Sequence, residues 1–224
     1  MRVETRHNPS FTVARLHLAP GEKARVESGA MLAHSAGVTL ASKAEGGVLA
    51  GLGRKLFAGE SFFVTTYTAD KNYPGWVDVA GALPGDVFNI EVEPQMPFFI
   101  ARGNWIANSE HVDISTNFEQ RAGLFGGNVA AGIKASGQGE VVVSVYGAID
   151  VIDLEQGEAV TIDTGHVVAY DLSINFRVRR AVEGRSVQSM KSGEGFVFDF
   201  TGPGRVLLQT RNPQSLFELL TPGR

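Results

Sequence analysis

Five histidines, His7, His17, His34, His111 and His166, are the side chains best suited to hold a metal or pass a proton near neutral pH. No two stand at His-x-His or His-x-x-x-His spacing and there is no His-Glu-x-x-His, so the sequence aims no pair of imidazoles at one ion. Cysteine is absent, which removes thiol catalysis, Cys-based zinc sites and disulfides together. Carboxylates are plentiful, among them Glu60, Asp86, Glu91, Glu93, Asp113, Glu194 and Asp199. Near turns such residues more often cap backbone amides than carry out acid-base catalysis, and Asp86, after Pro84-Gly85, reads as a turn residue. Ser28 and Ser61 lack the flanking glycines of a nucleophile elbow. Gly127 and Gly132 have the separation of a phosphate loop with Lys134 nearby, but Ile133 and Ala135 occupy the places that its lysine and hydroxyl need. Gly51-Leu52-Gly53 continues into Arg54, Lys55 and Leu56 without the third glycine of a dinucleotide fingerprint. The expectation is a protein without metal, nucleotide or other cofactor and without catalytic residues.

Two further groups can bind rather than react. Trp76 and Trp105 can stack on bases or sugars, although on amphipathic strands aromatics belong more often to the core. Arg177, Arg179, Arg180 and Arg185 gather positive charge, read as a solvated strand end or as a contact for an acidic partner or lipid headgroup.

The elements that must position these residues are short strands. In residues 11–18 and 87–92 apolar side chains fall at every second place, the pattern of a half-buried strand. Pro20-Gly21, Pro74-Gly75, Pro84-Gly85, Gln156-Gly157 and Gly202-Pro203-Gly204 punctuate them as turns. Residues 26–33 align with 100–107 and, more loosely, with 162–169, anchored at Gly29, Gly103 and Gly165, which lie 74 and then 62 positions apart. Downstream, Gly59, Gly139 and Gly193 each precede an apolar strand pattern. The reading is one domain, 1–224, all-β, a β-prism or barrel-like fold of three pseudo-repeated antiparallel units over about 8–85, 86–153 and 154–212. Gly29, Gly103, Gly165, Gly59 and Gly193 are its structural glycines, at corners where a side chain does not fit.

Two segments break the strand pattern. Residues 45–57 and 121–135 are apolar and rich in glycine, too costly in backbone entropy for isolated helices. Leu49, Leu52, Leu56 and Phe57, with Leu124, Phe125, Val129 and Ile133, carry more apolar surface than an exposed loop ordinarily leaves in water, and are expected to meet another subunit. Packing under the sheet and contact with a membrane surface are the alternatives. At the end of the chain Asn212-Pro213 starts a helix over 213–220 whose Leu216, Phe217 and Leu220 share one face, predicting a short docking helix.

Length and charge set the outer limits. The 224 residues, 43% hydrophobic, are enough for a substantial core, and disorder is not expected. A net charge of -4 provides no general attraction for phosphate backbones or anionic lipid, so nucleic acid is an unlikely partner. No signal or transit segment is read near the start, and no run of eighteen apolar residues occurs, so the expected location is the cytoplasm.

Together, Arg54-Lys55-Leu56-Phe57-Ala58-Gly59-Glu60-Ser61-Phe62-Phe63, Leu83-Pro84-Gly85-Asp86, Ala101-Arg102-Gly103-Asn104-Trp105-Ile106-Ala107 and the stretch from Ser192-Gly193-Glu194-Gly195-Phe196 through Gly202-Pro203-Gly204 to Asn212-Pro213 resemble the mitochondrial-biogenesis family named for altered inheritance of mitochondria. The resemblance covers nearly the whole chain and implies a fold like that of the tryptophan RNA-binding attenuation protein, a prism of three β units, in a bacterial member. It brings no established catalytic residues. Mitochondrial members are linked to inner-membrane organisation, which transfers to this chain only as a hint of membrane-surface contact. The leading expectation is a non-enzymatic scaffold or interaction protein that associates with itself. A module for a small molecule or carbohydrate is the alternative, and RNA binding, by fold analogy alone, the third.

Overall fold

The computed structural model describes residues 1–41, 55–57, 60–62, 64–115, 132–181 and 195–221. Within them the chain is predominantly β. The strands are β1 (Arg2–Arg6), β2 (Val13–Leu18), β3 (Lys23–Glu27), β4 (Met31–His34), β5 (Val38–Ala41), β6 (Lys55–Phe57), β7 (Glu60–Phe62), β8 (Val64–Ala69) and β9 (Gly75–Val79). They continue as β10 (Val87–Val92), β11 (Phe98–Ala101), β12 (Trp105–Ser109), β13 (Val112–Ser115), β14 (Gly132–Gly137) and β15 (Gly139–Ser144). The last are β16 (Ile149–Leu154), β17 (Ala159–Asp163), β18 (Val167–Asp171), β19 (Asn175–Arg180), β20 (Phe196–Thr201) and β21 (Gly204–Gln209), followed by helix α1 (Pro213–Leu220).

Alternation is plainest in β2 and β3. In β2 the side chains of Ala14, Leu16 and Leu18 are buried while Val13, Arg15 and His17 lie on the half-exposed face. Phe11, two residues before the strand begins, stands in solvent, 70% exposed. Every paired strand is antiparallel. Two sheets have six strands, in the orders β10-β15-β12-β3-β8-β5 and β13-β14-β11-β18-β21-β16. A four-stranded sheet has the order β1-β2-β9-β4, a three-stranded one β17-β20-β19, and β6 pairs with β7 alone. The barrel-like expectation is therefore corrected: among the described residues none of these sheets closes on itself, and each keeps two edges.

Among the described residues three clusters of buried side chains form the core, and each draws on more than one of these sheets. Leu16, Val26, Val77 and Val79 pack with Ile106, Ala107 and Val142; Ile100, Val141 and Val143 pack with Val168, Ala169 and Leu207. The third gathers Tyr170, Phe198, Phe200 and Val206 around Phe99, which comes from β11. At about 1.5–3 kcal/mol for each large apolar side chain buried, this sharing holds neighbouring sheets against one another.

Helix α1 begins where Asn212-Pro213 predicts it. The Asn212 side chain caps the helix by accepting the Gln214 N–H at 2.9 Å. Docking does not follow: no residue of the helix is buried, and Phe217, Leu219 and Leu220 are 59%, 76% and 70% exposed. The periodicity identified an apolar face, but among the described residues that face stands in solvent. Among the described residues no helix is long and apolar enough to cross a membrane.

Candidate functional site

Several of the described charged groups are spent on one another. Asp78, on β9, accepts Arg6 Nη2 at 2.7 Å and Arg15 through Nε and Nη2 at 2.8 Å each, and Arg15 also lies 3.9 Å from the centre of the Trp76 ring. These guanidinium hydrogen bonds, Arg15 first, hold the Asp78 carboxyl below its ordinary value. Asp199, on β20, is held far down in the same way by Arg179, Thr161 and Arg177. Two arginines of the basic group at the end of β19 are thus neutralised within the sheet, and Arg185 lies outside the described residues. Asp86 ties down the segment before β2: its Oδ1 accepts Thr12 Oγ1 at 2.7 Å, Asn8 Nδ2 at 3.1 Å and the Val87 N–H at 2.9 Å. This is the work of a turn residue.

The histidines are dispersed. His17 Nε2 lies 2.8 Å from Glu4, while His34 Nδ1 and His166 Nδ1 lie 2.9 and 2.7 Å from the carbonyls of Ser35 and Gln209. Among the described residues no three side chains of His, Asp or Glu stand together as a metal site. Trp105 is buried in the second core cluster. The Glu27 carboxyl, at the end of β3, is displaced upward: burial pushes it to about 7.

The anchor glycines answer two different needs. Gly29 and Gly103 have φ of +97° and +81°, a backbone that disfavours other residues, with open space where a side chain would start. Gly165 lies in a 3-10 turn, Thr164–His166, where the constraint is contact: an added Cβ would run into the Asn212 side chain. Around it, buried Gln209 donates to the Gly165 carbonyl at 3.0 Å and accepts the Tyr146 N–H at 3.0 Å. Gly59 and Gly193 lie outside the described residues.

Of the apolar positions read as an interface, Leu49, Leu52, Leu124, Phe125 and Val129 lie outside the described residues. Leu56 and Phe57 belong to β6, and Ile133 sits on β14 opposite Ile100, buried in the second core cluster.

What the residue types did not reveal is where strand edges are left open. β4 pairs with β9 and β17 with β20, and among the described residues the far edge of each is free. On β4 the apolar Leu32 is 55% exposed and Ala33 is exposed beside it. The strand carries neither Lys nor Pro, the residues that commonly block an edge. Of the features described, these two edges are the best suited to recognition, by backbone hydrogen bonding and apolar contact.

A family model described as Mitochondrial biogenesis AIM24 matches residues 3–211. An uncharacterized protein of Streptococcus pyogenes serotype M6 is 29% identical over 224 residues, spanning 95% of this chain and 86% of its own. An X-ray crystal structure of a Streptococcus pyogenes protein superposes with a TM-score of 0.75 at 24% identity, over 98% of this chain and 97% of that one. That likeness concerns the fold.

Proposed function

This chain belongs to the mitochondrial biogenesis AIM24 family, and from that premise we propose that it is a non-enzymatic scaffold that works by associating with copies of itself. The reading takes the chain as three β units, about 8–85, 86–153 and 154–212, arranged as a prism. Its support is a recurring irregularity: β4 shifts register against β9 between Met31 and Ala33, β12 against β15 between Trp105 and Ala107, and β18 against β21 between Val167 and Ala169. These positions keep the 74 and 62 spacing of the anchor glycines.

The observation that carries the function is the pair of incomplete sheets. Units joined in series share two six-stranded sheets, and the four-stranded and three-stranded sheets are the unshared remainders at either end. Such ends suit a protein that adds to itself. Sedimentation velocity over a range of concentration tests this, with a mass above the 24.0 kDa of one chain expected. A single-chain mass throughout the micromolar range overturns it. The glycine-rich segments remain proposed as contributors, and Leu52→Asp with Phe125→Asp should lower the mass if they are.

A further inference from the structure

Both six-stranded sheets are joined at their middle by the same kind of contact. In one, β12 lies on β3 with Ala107 opposite Val26, Asn108 opposite Arg25 and Ser109 opposite Ala24. In the other, β18 lies on β11 with Ala169 opposite Ile100, Tyr170 opposite Phe99 and Asp171 opposite Phe98. Moved by the 74 and 62 spacing of the anchor glycines, the two sets of pairs coincide. Among the described residues two strands remain that correspond to these partners yet make no such contact: β4, the counterpart of β12 and β18, and β17, the counterpart of β3 and β11. They lie in different sheets of the chain.

Burial distinguishes the finished contacts from the unfinished one. Ile106 and Val168 are 1% and 0% exposed, and Ala107 and Ala169 are both 0%. Their counterparts on β4, Leu32 and Ala33, are exposed. On β17 Val160 is half-buried, where its counterparts Ala24 and Phe98 are buried. On β4 the residue types that are covered where the junction forms stand open to water, and β4 and β17 both carry unpaired N–H and C=O groups that can receive another strand.

We propose, building on the self-association reading above, that β4 of one chain takes β17 of a second copy in the register of the two internal junctions. Ala33 then faces Ile162 of the partner subunit, His34 faces Thr161 of the partner subunit, and Ser35 faces Val160 of the partner subunit. The contact joins β1-β2-β9-β4 to the partner's β17-β20-β19. Apart from the added β1, the strand order is that of the two complete sheets. Leu32 becomes covered as Ile106 and Val168 are.

The chain has no cysteine, so introduced ones report on this contact alone. Two single variants, His34→Cys and Thr161→Cys, are oxidised separately and mixed, after circular dichroism shows each to be folded. A disulfide-linked dimer is expected in the mixture and not in either alone. Leu32→Lys, at a side chain already exposed in the single chain, should keep its β signal and weaken association at least about tenfold. If the parent is a single chain at every concentration, the self-association reading falls and this contact with it. If the parent associates while Leu32→Lys associates equally and the mixture does not cross-link, self-association stands and the β4 to β17 contact is overturned. Cross-linking within each variant alone, as fast as in the mixture, overturns the register by showing like edges paired.

Discussion

Tyr170 stacks on Phe99 across the junction of β18 with β11, ring centroids 4.6 Å apart and planes inclined by 24°. The two residues are also direct partners in the strand register, so one pair carries both the backbone ladder and an aromatic contact between successive parts of the chain. Phe99→Ala should cost about 3–5 kcal/mol in urea unfolding, because the cavity opens beside Phe198, Phe200 and Val206, which are themselves fully packed. A cost below about 1 kcal/mol would show that the cluster collapses to fill the space.

Asp78 should govern stability in acid. Its folded carboxyl titrates below the ordinary 3.8, so its contribution is complete above that value and is lost as the pH falls through the lower, folded one. Asp78→Asn removes the charge that Arg6 and Arg15 share. The expected cost near neutral pH is about 1.5–3 kcal/mol, shrinking toward zero in acid. A penalty that does not change with pH would assign the effect to packing.

Glu27 acts in the opposite direction. Its carboxyl is raised from 4.5 to about 7 by burial, so the folded chain holds that proton more tightly than the unfolded one. Stability from this group is therefore fully present below about pH 4.5 and declines as the pH rises through about 7. Thermal melts across that window should fall for the parent and stay flatter for Glu27→Gln, which keeps the shape without the charge. Parallel profiles would show that Glu27 has no share in the decline.

The anchor glycines should respond to substitution for different reasons. Gly29→Val and Gly103→Val meet a positive φ and should each cost about 1–3 kcal/mol, while Gly103→Asn, which tolerates that backbone, should cost less. Gly165→Ala displaces Asn212 and so strips α1 of its cap, at a cost of about 1 kcal/mol and with loss of helical signal from the end of the chain. Helical signal unchanged in Gly165→Ala would separate the turn from the cap.

Legibility followed the range of the interactions. Alternation made β2 and β10 readable, because a half-buried strand repeats every two residues, and Asn212-Pro213 located α1 because capping is local. The role of Gly165 could not be read from its neighbours, since the residue that crowds it comes from β21's far side of the chain, at Asn212. Nor could the open edge. Leu32-Ala33, Ile106-Ala107 and Val168-Ala169 are chemically alike, and only the partner strand decides which pair stays in water. The docking expected for Leu216, Phe217 and Leu220 presumed a receiving surface that no local pattern specifies.

The proposed contact of β4 with β17 would also give the chain a polarity. β4 and β17 are different surfaces, so a contact between them leaves one edge of each kind still vacant in every assembly that has not closed on itself. Growth by such a contact ends only when the rotation from one subunit to the next brings the first and last together; otherwise it continues as a fibre. The number of copies is then set by an angle, with affinity deciding only how fully the form is populated. A chain altered at Leu32 but intact at β17 would join one terminus and accept nothing further, so a small fraction of it mixed with the parent would shorten open assemblies.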